Sequence, residues 1–232
     1  MATPTSPHRR AGRPPATSLP AILAAARTLI DRDGWERLTI RGLAAELGIG
    51  ATTLYHHVRD KDDLLVHLLN ELAARTPRPE LPSDPRDRIV VAAVAGHDLL
   101  AAWPWAVEVI TNDGYLGRLD ESAAWTSEAI VAGAIDAGCT LDQAVYLFRS
   151  IWFYTVGEIL VRAHSPGGVD LSTYPDGTFF HGADMAKLPN LAAIGNDWIE
   201  IENRDTFRPG LEAFVDGLLA QARAGTDHKP AG

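Results

Sequence analysis

Two short helical segments separated by only three residues constrain this chain more than any other feature. Apolar residues recur at helical spacing from Thr39 to Leu47 and again from Ala51 to about Val58. In the turn 48–50, Gly48 lacks the side chain that opposes the left-handed conformation at the end of a helix. The small Ala44 allows the two helices to approach closely. The sequence therefore predicts a helix-turn-helix.

Two flanking helices complete a small N-terminal domain. One begins after Ser18, a residue that can cap a helix, and runs to about Arg32 with an apolar stripe at helical spacing. The other follows Asp60, with Asp63 at the capping-box position, and runs to about residue 76. Four prolines between residues 77 and 85 then interrupt the pattern. We predict a DNA-binding domain over residues 18–76, which consists of a three-helix head and this fourth helix, shared by head and body, and is preceded by a flexible basic arm over residues 1–17.

The remaining residues, 77–232, predict a larger all-α domain for ligand binding and dimerisation. Helical periodicity covers about 86–103, 104–112, 118–137, 141–164 and 205–224, and no alternating strand pattern occurs. Residues 165–190 predict a long loop. No apolar run reaches 18 residues, so no membrane helix is expected. The single cysteine, Cys139, fits a small buried residue and rules out a disulfide framework. We expect a soluble, cytoplasmic protein.

The formal net charge of −9 is unevenly distributed along the chain. Residues 1–76 carry ten Lys/Arg and eight Asp/Glu, whereas residues 77–232 carry eleven and 22. An acidic body would bias the protein to approach a phosphate backbone head first, although the same acids also fit a plain solvated surface. The arm contains Arg9, Arg10 and Arg13 and no acid. It fits either a minor-groove contact or an unstructured tail.

A helix-turn-helix places its second helix in the major groove of DNA. Here that helix leaves a polar face at Thr52, Thr53, Tyr55, His56 and His57 once its apolar residues point inward. An arginine near the start of the preceding helix, Arg41, can bind guanine through two hydrogen bonds. The lysine at the start of the fourth helix, Lys61, lies where a helix N-terminus attracts phosphate.

The stretch LTIRGLAAELGIGATTLYHHVRDKDDLL resembles the head of the TetR family of bacterial transcription factors. The resemblance implies base or near-base contacts for Arg41, Thr53 and His57, with Thr52 beside them. It implies phosphate contacts for Tyr55 and Lys61. The chain departs from the pattern at Gly50 and Ala51, so the operator sequence cannot be carried over. Two alternatives remain open, in which Tyr55 closes the small core and His57 caps its helix.

Residues 86–164 resemble, more weakly, the ligand-binding domain of the tetracycline-repressor branch. That repressor binds a drug–magnesium complex through a histidine and a glutamate, and a gapless alignment places Val109 and Val161 at those positions. Neither can hold a metal. We therefore expect no metal and no cofactor. An aromatic-lined pocket suits a small hydrophobic or aromatic ligand, although the same aromatics also fit a plain core. The candidate ligand-binding residues are His97, Trp103, Trp105, Asn112, Trp125, Ser127, Val145, Phe148 and Trp152.

The long helix 141–164 has two apolar faces, which indicates two packing partners. One predicted face contains Val145, Phe148, Trp152 and Ile159 and would cover the body's interior. The other would pack on a second subunit together with the last helix, which alternatively packs only within its own subunit. Palindromic double-stranded DNA with half-sites roughly 34 Å apart requires such a homodimer. The candidate interface residues are Tyr146, Arg149, Phe153, Gly157, Leu160, Phe207, Leu211, Phe214 and Leu218.

Three function classes compete. The first is a ligand-responsive repressor released from its operator by a small molecule other than a tetracycline–magnesium complex. The second is an enzyme, which is not expected because the sequence has no glycine-rich phosphate loop, no nucleophile elbow and no paired carboxylates at a predicted cavity. The third is a helical adaptor whose head contacts protein. Steep salt dependence distinguishes DNA binding from the adaptor.

Overall fold

A computed structural model describes residues 18–112, 115–164, 178–202 and 204–226. Within these residues the fold is all-α, as predicted, and the basic arm 1–17 lies outside them. Short 3₁₀ helices occur at Leu116–Arg118 and Met185–Lys187. The α-helices are α1 (Leu19–Asp33), α2 (Ile40–Glu46), α3 (Ala51–Tyr55), α4 (Lys61–Arg75), α5 (Pro85–Ala101), α6 (Pro104–Ile110), α7 (Glu121–Asp136), α8 (Leu141–His164), α9 (Pro189–Ile194), α10 (Asp197–Glu202) and α11 (Phe207–Thr226).

Side-chain caps fix where three of the first four helices begin. Ser18, Thr39 and Asp60 each accept a hydrogen bond from the backbone N–H three residues later, at 3.4, 3.0 and 2.7 Å. These bonds satisfy N–H groups that have no partner inside the helix. Gly48 has a φ of +63°, the left-handed conformation predicted for the turn. The helix-turn-helix therefore forms from local signals.

The described chain divides into two compact units. The first, called the head here, contains residues 18–75 together with 115–120. Its core includes side chains with no exposed surface from each of its four α-helices, among them Ile22, Leu43, Leu54, Leu64 and Leu65. The second unit, called the body, contains residues 76–112 and 121–226.

In the body, α5 lies closely against α7 because a glycine faces it. A Cβ at Gly133 would lie 2.8 Å from Ile89 Cγ1 and 3.0 Å from the Pro85 carbonyl oxygen. Arg86 binds Asp216 of α11 through two hydrogen bonds of 2.8 and 3.0 Å. The body core contains buried side chains from α5, α7, α8 and α11, among them Ile89, Ile130, Leu147, Ile151, Phe207 and Leu211.

Over most of its length, the buried stripe of α8 is shifted by one position from the predicted inward face. Val145 is wrong as an inward residue because 51% of its surface is exposed. Ile159 is buried as predicted, and Phe148 and Trp152 are half-buried. Since α8 is apolar on nearly all sides, its spacing alone leaves the register undetermined. The buried stripe is Ala144, Leu147, Ile151, Thr155 and Ile159.

By length and composition, α8 is apolar enough to cross a membrane, and so is the pair α5 and α6, which is bent by 107°. The core helices of soluble proteins pass the same test, so this is weak evidence. One face of α8 packs in the body core, and its other face carries exposed apolar side chains. Packing in the body core therefore explains only one of the two apolar faces of α8.

Candidate functional site

The third helix of the head is anchored by one side chain and presents the others outward. Leu54 is fully buried, and Val58 in the following turn has only 1% of its surface exposed. Thr52 and Thr53 are exposed, and Tyr55 is 54% exposed. This exposure contradicts the alternative in which Tyr55 closes the small core. The outward face thus keeps two hydroxyls and a phenol free for a partner.

The other predicted DNA-binding residues flank this helix. Arg41 on α2 is exposed, and within the described residues its guanidinium forms no ion pair or hydrogen bond. His56 is exposed and His57 is half-buried; the backbone N–H of His57 donates to the Leu54 carbonyl at 2.9 Å. An unpaired arginine can offer all five N–H donors to a partner.

Lys61 is held in place at the start of α4. Its ammonium donates to the Glu36 carbonyl at 2.9 Å and lies 5.1 Å from the centroid of the Trp35 ring. A lysine ammonium has three donors, so two remain for another acceptor. The structure therefore pre-orients the lysine that is predicted to contact phosphate.

A buried carboxylate, which the sequence suggested only as a capping-box residue, fixes the turn between α3 and α4. Asp63 accepts hydrogen bonds from Nε and Nη2 of Arg59, at 3.1 and 2.6 Å, and from the Arg59 backbone N–H at 3.0 Å. These hydrogen bonds hold the pKa of Asp63 below its usual value, despite its burial. Asp63 thus binds the residue before Asp60 instead of completing a capping box with Asp60.

The segment 115–120 packs with the head although its neighbours in sequence, α6 and α7, belong to the body. The Tyr115 hydroxyl donates to Asp62 of α4 at 2.9 Å, and the Asp120 backbone N–H donates to the Asn70 side chain at 3.1 Å. Burial and the adjacent Asp62 carboxylate raise the pKa of Tyr115 to about 12. The sequence did not predict this attachment, because no local sequence pattern indicates which domain a connecting loop contacts.

The body contains a cavity of about 480 Å³ along one face of α5, called the α5 cavity here. The linker residues 76–79 and Trp103 also line it, so one of the predicted ligand residues lies there. Its size falls in the range of small-molecule sites. The other lining residues are Val91, Val94, Ala95, Asp98, Leu99, Ala102 and Arg208.

A second cavity, of about 390 Å³, is lined by the predicted His97 together with Glu158 and Arg162. The imidazole Nε2 lies 2.8 Å from Glu158 Oε2, and Nδ1 lies 3.0 Å from Asp98 Oδ1. The His97 ring also stacks on Phe207 at 3.8 Å. Both ring nitrogens are therefore engaged, and Glu158 is in turn bound by Arg162. His97 is fixed in place by groups of its own subunit.

The remaining predicted ligand residues are not gathered around these two cavities. Asn112 is exposed and donates to the Glu108 carbonyl at 2.7 Å, and Trp125 lies under the Arg78 guanidinium at 5.5 Å. Trp105 has a buried indole N–H without an acceptor among the described residues. Three others are half-buried and line neither cavity: Ser127, Phe148 and Trp152.

The predicted dimer residues separate into an outward and an inward group. Phe207, Leu211 and Leu218 are wrong as interface residues, because all three are buried in the core of their own subunit. The single apolar stripe of α11 is used for that core, which is the alternative that the sequence left open. Leu160 is half-buried. Five residues remain exposed on α8 and α11, called the open face here: Tyr146, Arg149, Phe153, Gly157 and Phe214.

Known proteins with a similar sequence are bacterial regulators. The family model described as "Bacterial regulatory proteins, tetR family" matches residues 22–68. An HTH-type transcriptional regulator of Saccharopolyspora erythraea is 28% identical over 222 residues, covering 93% of this chain and 90% of the relative. The tetracycline repressor protein class E of Escherichia coli is 30% identical over 152 residues, covering 62% of this chain and 67% of the repressor.

Among solved structures, the TetR family protein ActR of Streptomyces coelicolor in complex with actinorhodin superimposes with a TM-score of 0.71. The match covers 90% of this chain and 98% of ActR at 22% identity. At that identity the likeness shows the fold alone.

Proposed function

Because this chain belongs to the TetR family of bacterial regulatory proteins, we propose that it is a repressor that binds a palindromic DNA operator as a homodimer and is released by a small molecule. It is a DNA-binding transcriptional regulator and not an enzyme. Four statements go beyond this family role and are our proposals: that the protein represses transcription, that its operator is palindromic, that its ligand is a small hydrophobic or aromatic molecule, and that it is cytoplasmic.

The outward face of the helix-turn-helix is the observation that carries the proposal. The helix α3 buries only Leu54 fully and presents Thr52, Thr53 and Tyr55 outward. Arg41, which is unpaired within the described residues, lies on the preceding helix, α2. Hydroxyls and a guanidinium are the groups that bind phosphates and base edges.

The open face supports a homodimer. Tyr146 and Phe153 are each 59% exposed and lie seven residues apart on one face of α8, and aromatic side chains are enriched where proteins contact each other. A Cβ at Gly157 of α8 or at Gly217 of α11 would meet nothing within 4 Å. These glycines therefore serve no packing within the subunit, and they permit close approach of helices from a partner. Two copies of α8 and α11 would form a four-helix interface.

The ligand we propose is a small hydrophobic or aromatic molecule and not a tetracycline–magnesium complex. Val109, which the resemblance aligns with a metal-binding histidine, is fully buried on α6 and offers no ligand atom. The α5 cavity has a mostly apolar lining of suitable size. The crystal structure of ActR in complex with actinorhodin supports ligand binding by a related fold.

The segment 115–120 offers a route by which ligand binding reaches the DNA-binding helix. It joins α6 to α7 in sequence, and its Tyr115 is hydrogen-bonded to α4. A ligand that displaces α6 or α7 would transmit that displacement to α4 through this hydrogen bond. The ligand must bind the DNA-bound and released states with different affinity for this to regulate transcription.

Selection from a pool of random DNA duplexes tests the proposal and does not require the operator sequence in advance. The full-length chain should enrich an inverted repeat whose half-sites lie about one helical turn or a multiple of it apart. Arg41→Ala should abolish enrichment, whereas Arg204→Ala, an exposed arginine of the body, should not. Failure of the wild-type protein to enrich any sequence would favour the adaptor instead.

A further inference from the structure

The lining of the α5 cavity contains three charged side chains, and two of them already have partners. Arg208 Nε donates to Glu212 at 3.0 Å. The Asp98 carboxylate lies 3.0 Å from His97 Nδ1. Arg78 is different, because within the described residues it forms no ion pair. It is therefore the charge in this lining that an incoming ligand can satisfy.

The contact that Arg78 does make leaves its hydrogen-bond donors available. Its guanidinium carbon lies 5.5 Å from the centroid of the Trp125 ring. A cation–π contact of this kind occupies none of the five N–H donors of the guanidinium in a hydrogen bond. Those donors match the two oxygens of an organic anion. The indole thus pre-orients Arg78 for an acidic group.

The rest of the lining is apolar. Val91, Val94 and Leu99 form a row along α5, and Trp103 adds an aromatic surface at its end. A volume of about 480 Å³ accommodates a molecule of several fused or linked rings. The cavity therefore combines one exposed cation, unpaired within the described residues, with an apolar wall that favours a flat hydrophobic molecule.

We propose that the α5 cavity binds an amphipathic aromatic acid, with its rings against α5 and Trp103 and its anionic group on Arg78. The inference rests on the proposed function, in which this cavity receives the regulatory ligand, and it specifies the ligand's charge. Arg78 follows the end of α4 by three residues, so an anion bound there also restrains the linker that leaves α4.

A matched pair of fluorescent probes tests the charge preference on the full-length protein without DNA. Anilinonaphthalene sulfonate is an aromatic anion, and N-phenylnaphthylamine is its uncharged analogue. Arg78→Gln should weaken binding of the anion about tenfold, equivalent to one charge-assisted hydrogen-bonding contact, and leave the uncharged analogue unchanged. The control Arg204→Gln removes an exposed arginine elsewhere in the body and should change neither affinity.

Two further variants test whether the probes bind in the α5 cavity and whether their affinity depends on the sign of the charge there. Asp98→Asn removes a negative charge from the lining and should tighten binding of the anion several-fold, opposite to Arg78→Gln. Ala95→Trp fills the cavity and should weaken both probes. Unchanged folding of each variant is checked by its far-ultraviolet circular dichroism.

The inference is overturned if Arg78→Gln affects both probes equally or neither, or if Asp98→Asn weakens the anion. It is also overturned if Ala95→Trp leaves both affinities intact, because the probes would then bind elsewhere. These measurements contain no DNA. Loss of the predicted charge preference therefore leaves the DNA-binding proposal standing, and absence of DNA binding leaves the charge preference standing.

Discussion

Replacing Tyr115 by phenylalanine tests whether the segment 115–120 is held on α4 by a specific bond. The change removes one oxygen atom from a side chain that is only 7% exposed and keeps its ring. The lost hydrogen bond, 2.9 Å long, has a carboxylate acceptor, Asp62. Hydrogen bonds to charged groups contribute about 1.5–3 kcal/mol, and the exposure of Asp62 places this one at the lower end, near about 1.5 kcal/mol.

For a chain of this length, about 1.5 kcal/mol corresponds to a lowering of the melting temperature by roughly 3–6 °C. Chemical denaturation followed by circular dichroism measures the free energy of unfolding of Tyr115→Phe. The matched control is Tyr55→Phe, which removes the hydroxyl of an exposed tyrosine in the same unit and should change stability by less than about 0.5 kcal/mol.

A double-mutant cycle with Asp62→Ala, which removes the acceptor oxygen, isolates the pair. The two substitutions should be non-additive by about 1 kcal/mol, because either one alone removes the same bond. Additive effects, or a Tyr115→Phe variant as stable as the control, would refute the attachment of this segment to α4 through the Tyr115 hydroxyl.

Asp63→Asn should destabilise the protein by about 2 kcal/mol at neutral pH, because it removes the charged acceptor for Arg59. The pKa of Asp63 is depressed in the folded state, so the stability that its carboxylate contributes is present above its unfolded pKa of about 4 and is lost as the pH falls through the folded pKa. Urea titrations should therefore show the free energies of unfolding of the wild type and Asp63→Asn converging in acid. A stability difference that stays constant with pH would contradict this. Phe153→Ser should shift the protein from dimer to monomer in light scattering, whereas an unchanged mass would exclude the open face as the interface. Gly133→Ala should cost about 1–3 kcal/mol through overlap with α5, while Gly96→Ala, with ordinary contacts, should gain up to about 1 kcal/mol; equal melting temperatures would contradict the close approach.

The head is predictable from sequence because its signals are local. Caps at Ser18, Thr39 and Asp60 and the left-handed Gly48 each act within four residues, so the pattern alone places the helices. The third helix ends earlier than predicted, at Tyr55, with the following residues forming a turn. The exposed polar face was also predictable, because burying Leu54 determines which neighbours point outward.

The body is less predictable because its determinants are tertiary. On α8, apolar residues surround the helix, so Val145 and Ala144 are equally plausible inward residues until the positions of α7 and α11 are known. On α11, the stripe containing Leu211 can serve a subunit core or a dimer, and sequence spacing does not distinguish them. Likewise α9 and α10, six residues each, are too short to leave a clear periodic signal.

Salt-dependent DNA affinity tests the central proposal most directly. Fluorescence anisotropy with the selected duplex measures the affinity of the wild type, Lys61→Ala and Tyr55→Ala over a range of salt concentrations. We predict steep weakening with salt for the wild type, and for Lys61→Ala a uniformly lower affinity with a slope reduced by about one. Affinities that are insensitive to salt, or equal in all three proteins, would contradict DNA binding by this face of the head.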